Sequence, residues 1–304
     1  MGALEGKVAL VTGASKGGTG TAFAHRLAAE GARIAITARS TEGLVRTQAD
    51  IEEQGGEVVA ITCDLSEPDG GRRELIPQVE ATLGPIDILV NNAAMGGYKA
   101  FDEWRLDELR QMQEVNCWGP WELMQQALAS MRPRRQGWIL NMTTSVAELP
   151  PGPPFPDTSP VQLGSAYGAT KASLNRMTLA AAAENQHSGV RVNALTPQAA
   201  ILTPELSHAL ESGMIDKDFF EPLETMVEAA LALTSTELNG RIAYSLQLLK
   251  ELKRPVYDLR GAALVPGWQP EDMDNHLANQ VAAHQRAGLE GPVYEFHRRS
   301  SPSP

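Results

Sequence analysis

Tyr167-Gly168-Ala169-Thr170-Lys171 sets a phenol and an ammonium four residues apart, a spacing that on a helix projects both onto one face. A phenol titrating near ~10 donates a proton poorly at neutral pH, and a fixed ammonium beside it favours the phenolate and makes it a better acid. Such a tyrosine can protonate a carbonyl oxygen as hydride arrives at the carbon, and take the proton back in the reverse direction. Tyr and Lys at this spacing also occur by chance on surface helices, so the pentapeptide draws its meaning from what lies upstream.

Upstream is a glycine-rich turn. Lys7 to Thr12 is a β-branched, apolar run that stops at glycine, and Thr21 to Glu30 is an alanine-rich helical pattern closed by Gly31. Between them runs Thr12-Gly13-Ala14-Ser15-Lys16-Gly17-Gly18-Thr19-Gly20. A turn of this kind lets the backbone approach a pyrophosphate, whose charge meets unpaired N–H groups at the helix start. The second strand, Arg33 to Thr37, ends in Ala38-Arg39-Ser40, where an NAD site would carry an acidic residue for the ribose 2′-hydroxyl. Arg39, with Lys16 in the turn, suits a 2′-phosphate, so NADP(H) is expected over NAD(H).

The elements that must position these groups keep alternating. Val58 to Thr62, Ile86 to Val90, Trp138 to Met142 and Arg191 to Leu195 read as strands separated by helix-length stretches. This predicts an α/β fold, a doubly wound, Rossmann-like parallel sheet with helices on both faces and ligands beyond the carboxyl ends of its strands. The 304 residues, 42% hydrophobic and 21% charged, fit one such domain over 1–250 with a C-terminal extension over 251–304. A net charge of -11 argues against a nucleic-acid surface, and no apolar run of ~18 residues spans a bilayer, so a cytoplasmic protein is expected. Two cysteines, Cys63 and Cys117, and six histidines without ligand spacing predict no metal site.

The glycine segment Thr12 to Gly20, Cys63-Asp64-Leu65, Asn91-Asn92-Ala93-Ala94, Val115-Asn116, Gly137 to Ser145, Tyr167 to Lys171 and Val190 to Ala194 follow one another over residues 1 to about 250. In this order they resemble the short-chain dehydrogenase/reductase family. The resemblance implies that Tyr167 is the catalytic acid/base and that Lys171 holds the nicotinamide ribose and lowers the phenol pKa. It further implies that Asn116 fixes a relay water, Asp64 touches the adenine with Leu65 beside it, and Asn91 and Ala93 flank the cofactor. Gly13, Ser15, Lys16, Gly17, Gly18, Thr19 and Gly20 would cradle its phosphates, and Pro197 and Thr203 would reach the nicotinamide end. A small alcohol or carbonyl compound, apolar in character, is the implied substrate, since the pattern is most like citronellol dehydrogenase-like and hydroxysteroid dehydrogenase-like members.

Three departures from the family pattern bear on the site. The last glycine falls one residue late, at Gly20 after Thr19, so the turn must bulge and shift its phosphate donors. The hydroxyl that orients the substrate is Thr144 by spacing from Gly137 and Ser145 by residue type, and only one can face the carbonyl. The stretch from Thr144 to Tyr167 runs about ten residues long through a proline-rich 149–157, expected to form a pocket wall with Phe155. Tyr98, Trp118 and Trp121 are further candidate pocket aromatics. Glu221 to Leu233 reads as an amphipathic helix and Arg241 to Leu246 as the last strand. Met273, Leu277 and Val281 form a stripe fit to dock on something, with a neighbouring subunit one candidate, and Arg298 to Pro304 reads as a disordered tail. The family associates through the Asn116 and Tyr167 helices, so a homodimer or homotetramer is implied. Two other readings stand beside the enzyme: a nucleotide-binding homologue with little turnover, and a sugar-nucleotide epimerase, whose glycine spacing Gly13, Gly17 and Gly20 do not match.

Overall fold

The structure is a computed structural model that describes residues 2–149, 164–201 and 217–286. Its strands are β1 (Val8–Thr12), β2 (Arg33–Ala38), β3 (Val58–Thr62), β4 (Ile88–Asn91), β5 (Gly137–Met142), β6 (Val190–Thr196), β7 (Ala200–Ile201), β8 (Phe220–Glu221) and β9 (Ile242–Tyr244). Its helices are α1 (Thr19–Ala29), α2 (Thr41–Glu53), α3 (Arg73–Leu83), α4 (Leu106–Gln113), α5 (Gly119–Arg134), α6 (Ser165–Glu184), α7 (Leu223–Ser235), α8 (Ser245–Leu252) and α9 (Met273–Arg286). Seven strands make one parallel sheet in the order β3-β2-β1-β4-β5-β6-β9, so the chain winds outward from β1 in both directions. The order reverses between β1 and β4, and a crevice opens there beyond the strand ends.

Apolar side chains cover both faces. One core joins the sheet to α1, α2, α7 and α8, and the other joins it to α3, α5 and α6. Helices α4 and α5 are continuous through a π turn, Glu114–Trp118, that carries Asn116. Such a turn re-aims the side chains beyond it and recurs at functional sites.

Two elements differ from their sequence reading. The last strand stops at Tyr244, because Ser245 begins α8 and turns away from the sheet. Helix α7 is buried on nearly every side, Thr225 to Thr234 included, since α8 and the following chain cover the face that would otherwise meet solvent. Val256 and Met273 belong to the same core as Leu27 and Ile34, so the stripe on α9 docks at least in part on its own chain. Buried Glu228 on α7 meets Arg26 Nη1 of α1 at 2.5 Å and Arg254 Nε of the extension at 3.0 Å, which ties all three together. Among the described residues, no helix is long and apolar enough to cross a membrane.

Candidate active site

A cleft of about 510 Å³ lies along the carboxyl edge of β1 to β4. Gly13, Ser15, Lys16, Gly18, Thr19 and Gly20 line one side, Arg39, Asp64 and Leu65 the far end, and Ala93, Met95 and Val115 the near end. The glycines are required by close approach: a Cβ on Gly20 would lie 2.3 Å from Asn92 Nδ2 and 2.6 Å from the Gly13 carbonyl oxygen. Gly20 therefore sits in the first turn of α1, pressed onto Gly13. The extra residue is taken up at Gly17, whose φ of 71° is left-handed and whose N–H donates to Thr21 Oγ1 at 3.2 Å. Gly17 thus spends its donor inside the turn and does not line the cleft.

Asn92, not Asn91, is the asparagine at the cleft. Its Nδ2 donates to the carbonyl oxygens of Thr12 at 2.8 Å and Gly13 at 3.3 Å, while the N–H groups of Asn92 and Ala93 donate to Thr12 Oγ1. This cross-brace fixes β1 and β4 where the crevice opens. Asn91 points into the sheet instead and donates to Asn141 Oδ1 at 2.8 Å, because successive side chains of a strand face opposite ways. Neither Thr12 nor Asn92 was marked by sequence reasoning; the signal was their place in Thr-Gly and Asn-Asn, but their pairing needs the register. Asp64 Oδ1 accepts from Ser66 N and Oγ, and Leu65 offers its carbonyl oxygen to Arg72 Nη1 at 2.7 Å, so that loop is held from below. Arg39 and Lys16 are exposed, and neither is ion-paired with a described residue.

Past Met95 the cleft runs toward α6. Tyr167 lies against Gly96, whose built Cβ is 4.0 Å from the tyrosine Cε2, and against Tyr98, edge to face with ring centroids 6.3 Å apart. Lys171 is buried, donates to the Met142 carbonyl oxygen at 2.7 Å, and stands 5.9 Å from the centre of the Tyr167 ring. Burial, with Tyr98 adding to it, pushes the Tyr167 phenol up to about 12. Burial also draws the Lys171 ammonium down to about 8. Here the ammonium is engaged by a backbone carbonyl, and burial dominates the phenol.

The Asn116 side chain is engaged within the protein. Its Oδ1 accepts from Met95 N at 2.9 Å, and its Nδ2 donates to the Met95 carbonyl oxygen and to Thr170 Oγ1. Thr170 Oγ1 donates in turn to the Tyr167 carbonyl oxygen at 2.8 Å, so Asn116 locks the tyrosine helix to the loop after β4. Both Nδ2 hydrogens are committed, so a water at Asn116 would be held by acceptors, the second lone pair of Oδ1 or the main-chain carbonyl.

The end of β5 offers three hydroxyls. Thr143 is buried, with Oγ1 unpartnered, Thr144 is half-buried, and Ser145 faces solvent. Thr144 Oγ1 accepts from Val146 N, which leaves its own hydrogen free to donate. Gly168 packs so closely on this turn that a Cβ there would lie 2.4 Å from the Val146 carbonyl oxygen. That contact seats the start of α6, which carries Tyr167, on the turn that carries Thr144. Trp121 lines a different groove, between α5 and α6, and Trp118 is exposed. Pro197 follows β6, outside the cleft lining, whereas Thr203, Phe155, proline-rich 150–157 and the tail from Arg298 lie outside the described residues.

These features fit a dinucleotide: glycines that admit no Cβ under the turn, Lys16 in that turn and Arg39 after β2 without an ion-pair partner among the described residues, and the Thr143 hydroxyl without a described partner after β5. Among the described residues no cluster of metal ligands occurs. A short chain dehydrogenase of Pseudocercospora fijiensis is 35% identical over 199 residues, 65% of this chain and 60% of that one, so the match spans less than two thirds of the relative's length. The 3beta-hydroxysteroid dehydrogenase 1 of Eggerthella lenta is 33% identical over 197 residues, 64% of this chain and 71% of that one. The crystal structure of a metagenomic short-chain oxidoreductase in complex with NADP superposes with a TM-score of 0.65 at 27% identity, covering 80% of this chain and 98% of that one. The family model for short chain dehydrogenases matches residues 7–211, and the chain belongs to that family.

Proposed function

We propose that the protein is an NADP(H)-dependent oxidoreductase that interconverts an apolar alcohol and its carbonyl. The observation that carries this reading is the pair of half-buried Tyr167, packed on Gly96 just past cleft-lining Met95, and buried Lys171, 5.9 Å from its ring, next to a glycine-lined cleft on the carboxyl edge of the sheet. Gly13 to Gly20 would receive the pyrophosphate, Asp64 and Leu65 the adenine, and Lys16 with Arg39 the 2′-phosphate. When bound, the cofactor supplies or accepts hydride at its nicotinamide. Tyr167 donates its phenolic proton to the carbonyl oxygen of the substrate and takes it back in the oxidative direction. Thr144 uses its free hydroxyl hydrogen to hold that oxygen, a role for which solvent-facing Ser145 is less suited. Lys171, once drawn from Met142 to the ribose hydroxyls, would bring its charge to bear on the phenol. Tyr98 lays an aromatic face beside Tyr167, which favours an apolar substrate. We also read the protein as a homodimer or homotetramer joined through α5 and α6, where Trp121 and Leu179 are exposed.

Fluorescence titration with NADPH and NADH tests the cofactor: NADPH should bind at least about tenfold tighter, a difference of roughly 1.4 kcal/mol. Tyr167→Phe should lower turnover by about 10²–10⁴-fold and leave the NADPH dissociation constant within about twofold. Turnover that survives in this variant would favour the reading as a binding protein with an incidental site.

A further inference from the structure

Glu221 is a carboxylate with almost no solvent contact, at the end of β8 and outside every motif that the family resemblance supplies. Its Oε1 accepts from Gln198 N at 2.6 Å and from Ala199 N at 3.1 Å, both in the turn that leaves β6. Thr225 Oγ1 lies 2.7 Å from Oε2, and Ser245 Oγ lies 2.8 Å from each oxygen. Ser245 Oγ also accepts from Gln198 N at 3.0 Å, so the turn, α7 and the start of α8 converge on one carboxyl group. Pairing of Ala200–Ile201 with Phe220–Glu221 holds Glu221 in register with this turn.

The turn lies at the reactive end of the site. Strand β6 pairs with β5 through Met142 and Leu195, Thr143 N donates to the Leu195 carbonyl oxygen, and Lys171 donates to that of Met142. Pro197, Gln198 and Ala199 continue directly from this level, while the adenine end of the cleft is four and five strands away at β2 and β3. Gln198 Oε1 is a buried acceptor that no donor among the described residues reaches. Burial pushes the Glu221 carboxyl up to about 7, against the hydrogen bonds that work to lower it. Either protonation state can keep the two N–H bonds, since the Thr225 and Ser245 hydroxyls can turn to suit.

We propose that Glu221 is a positioning residue, which pins the Gln198–Ala199 turn so that this turn completes the nicotinamide end of the cofactor site. The inference rests on the dinucleotide reading above and adds to it which side chain shapes the reactive end. A buried acceptor that satisfies two backbone donors from one turn fixes that turn; without it both N–H groups would seek water and the turn would move. Gln198, with that acceptor, is then held where a carboxamide N–H would find it.

The test compares NADP⁺ with adenosine 2′,5′-bisphosphate, which reaches only the adenine end, by calorimetric titration of the full chain. Glu221→Ala should weaken NADP⁺ by tenfold or more and leave the bisphosphate within twofold, whereas Glu221→Gln, which keeps the acceptor oxygen, should stay within about threefold for both. NADP⁺ binding to Glu221→Ala within twofold of the unaltered protein overturns the inference, as does equal weakening by Gln and Ala. Should Glu221→Ala lose both ligands through misfolding, Ser245→Ala decides: selective weakening of NADP⁺ supports the role, and unchanged affinity overturns it. An unaltered protein that binds neither NADPH nor NADH would instead sink the dinucleotide reading itself.

Discussion

Burial first, and Tyr98 second, raise the Tyr167 phenol above its ordinary value. Lys171 is engaged by Met142, and the phenol is held near 12 by burial and by Tyr98. Such a phenol is protonated throughout the neutral range, so the acid for carbonyl reduction is always loaded and the base for alcohol oxidation is scarce. Reduction should therefore stay flat with pH up to about 8, where Lys171 loses its proton, and fall above it. Oxidation needs the phenolate and should rise with pH toward about 12, and kcat/KM profiles in both directions check this. Tyr98→Ala readmits water to the phenol and moves it toward its ordinary value near ~10, so the oxidative limb should shift down by roughly one pH unit. A limb that stays in place would show that Tyr98 is only a wall. The tyrosine and lysine were legible from spacing alone; the direction of their shifts was not, because desolvation depends on what the fold lays over them.

Gly168 and the π turn show how elements place the chemistry. Gly168→Ala would set a Cβ 2.4 Å from the Val146 carbonyl oxygen, so helix α6 and the Thr144 turn must separate. A loss of about 1–3 kcal/mol in stability is expected from such overpacking, with a fall in turnover as the helix that carries Tyr167 leaves the turn that carries Thr144. A thermal melt and steady-state kinetics test it together; activity at full level in a destabilised variant would mean that the pair does not depend on this contact. The strands were read from sequence to within a residue or two, because their buried β-branched runs have few alternatives. The π turn at Glu114–Trp118 was invisible, since no residue pattern announces one, yet it aims Asn116 at Met95 and Thr170.

At the scale of the molecule, residues beyond 250 complete the core on the outer side of α7. Truncation after Leu252 would uncover Val256 and Met273 contacts and remove Arg254 from the buried Glu228. The shortened chain should fail to fold cooperatively, and circular dichroism melts would expose the error if it folded as well as the whole. Glu228→Ala leaves Arg26 with Glu30 alone as its ion-pair partner among the described residues and frees Arg254, and should lower stability by less than the ~3–5 kcal/mol of a fully uncompensated buried charge. Sedimentation velocity checks the assembly: Trp121→Glu places a charge in the α5–α6 groove and should shift the protein to monomers.

Local chemistry in the sequence determined the alternating strands and helices, the glycine turn after β1, the cations after β2 and the Tyr167–Lys171 pair, because each is written in contiguous residues with a short-range physical reason. Only the tertiary structure decided that Asn92 and not Asn91 meets the cleft, that Asn116 is spent on Met95 and Thr170, and that Glu221 gathers the turn after β6. Those roles belong to pairs 20 to 80 residues apart, whose contact is set by sheet register and burial and leaves no trace in local spacing.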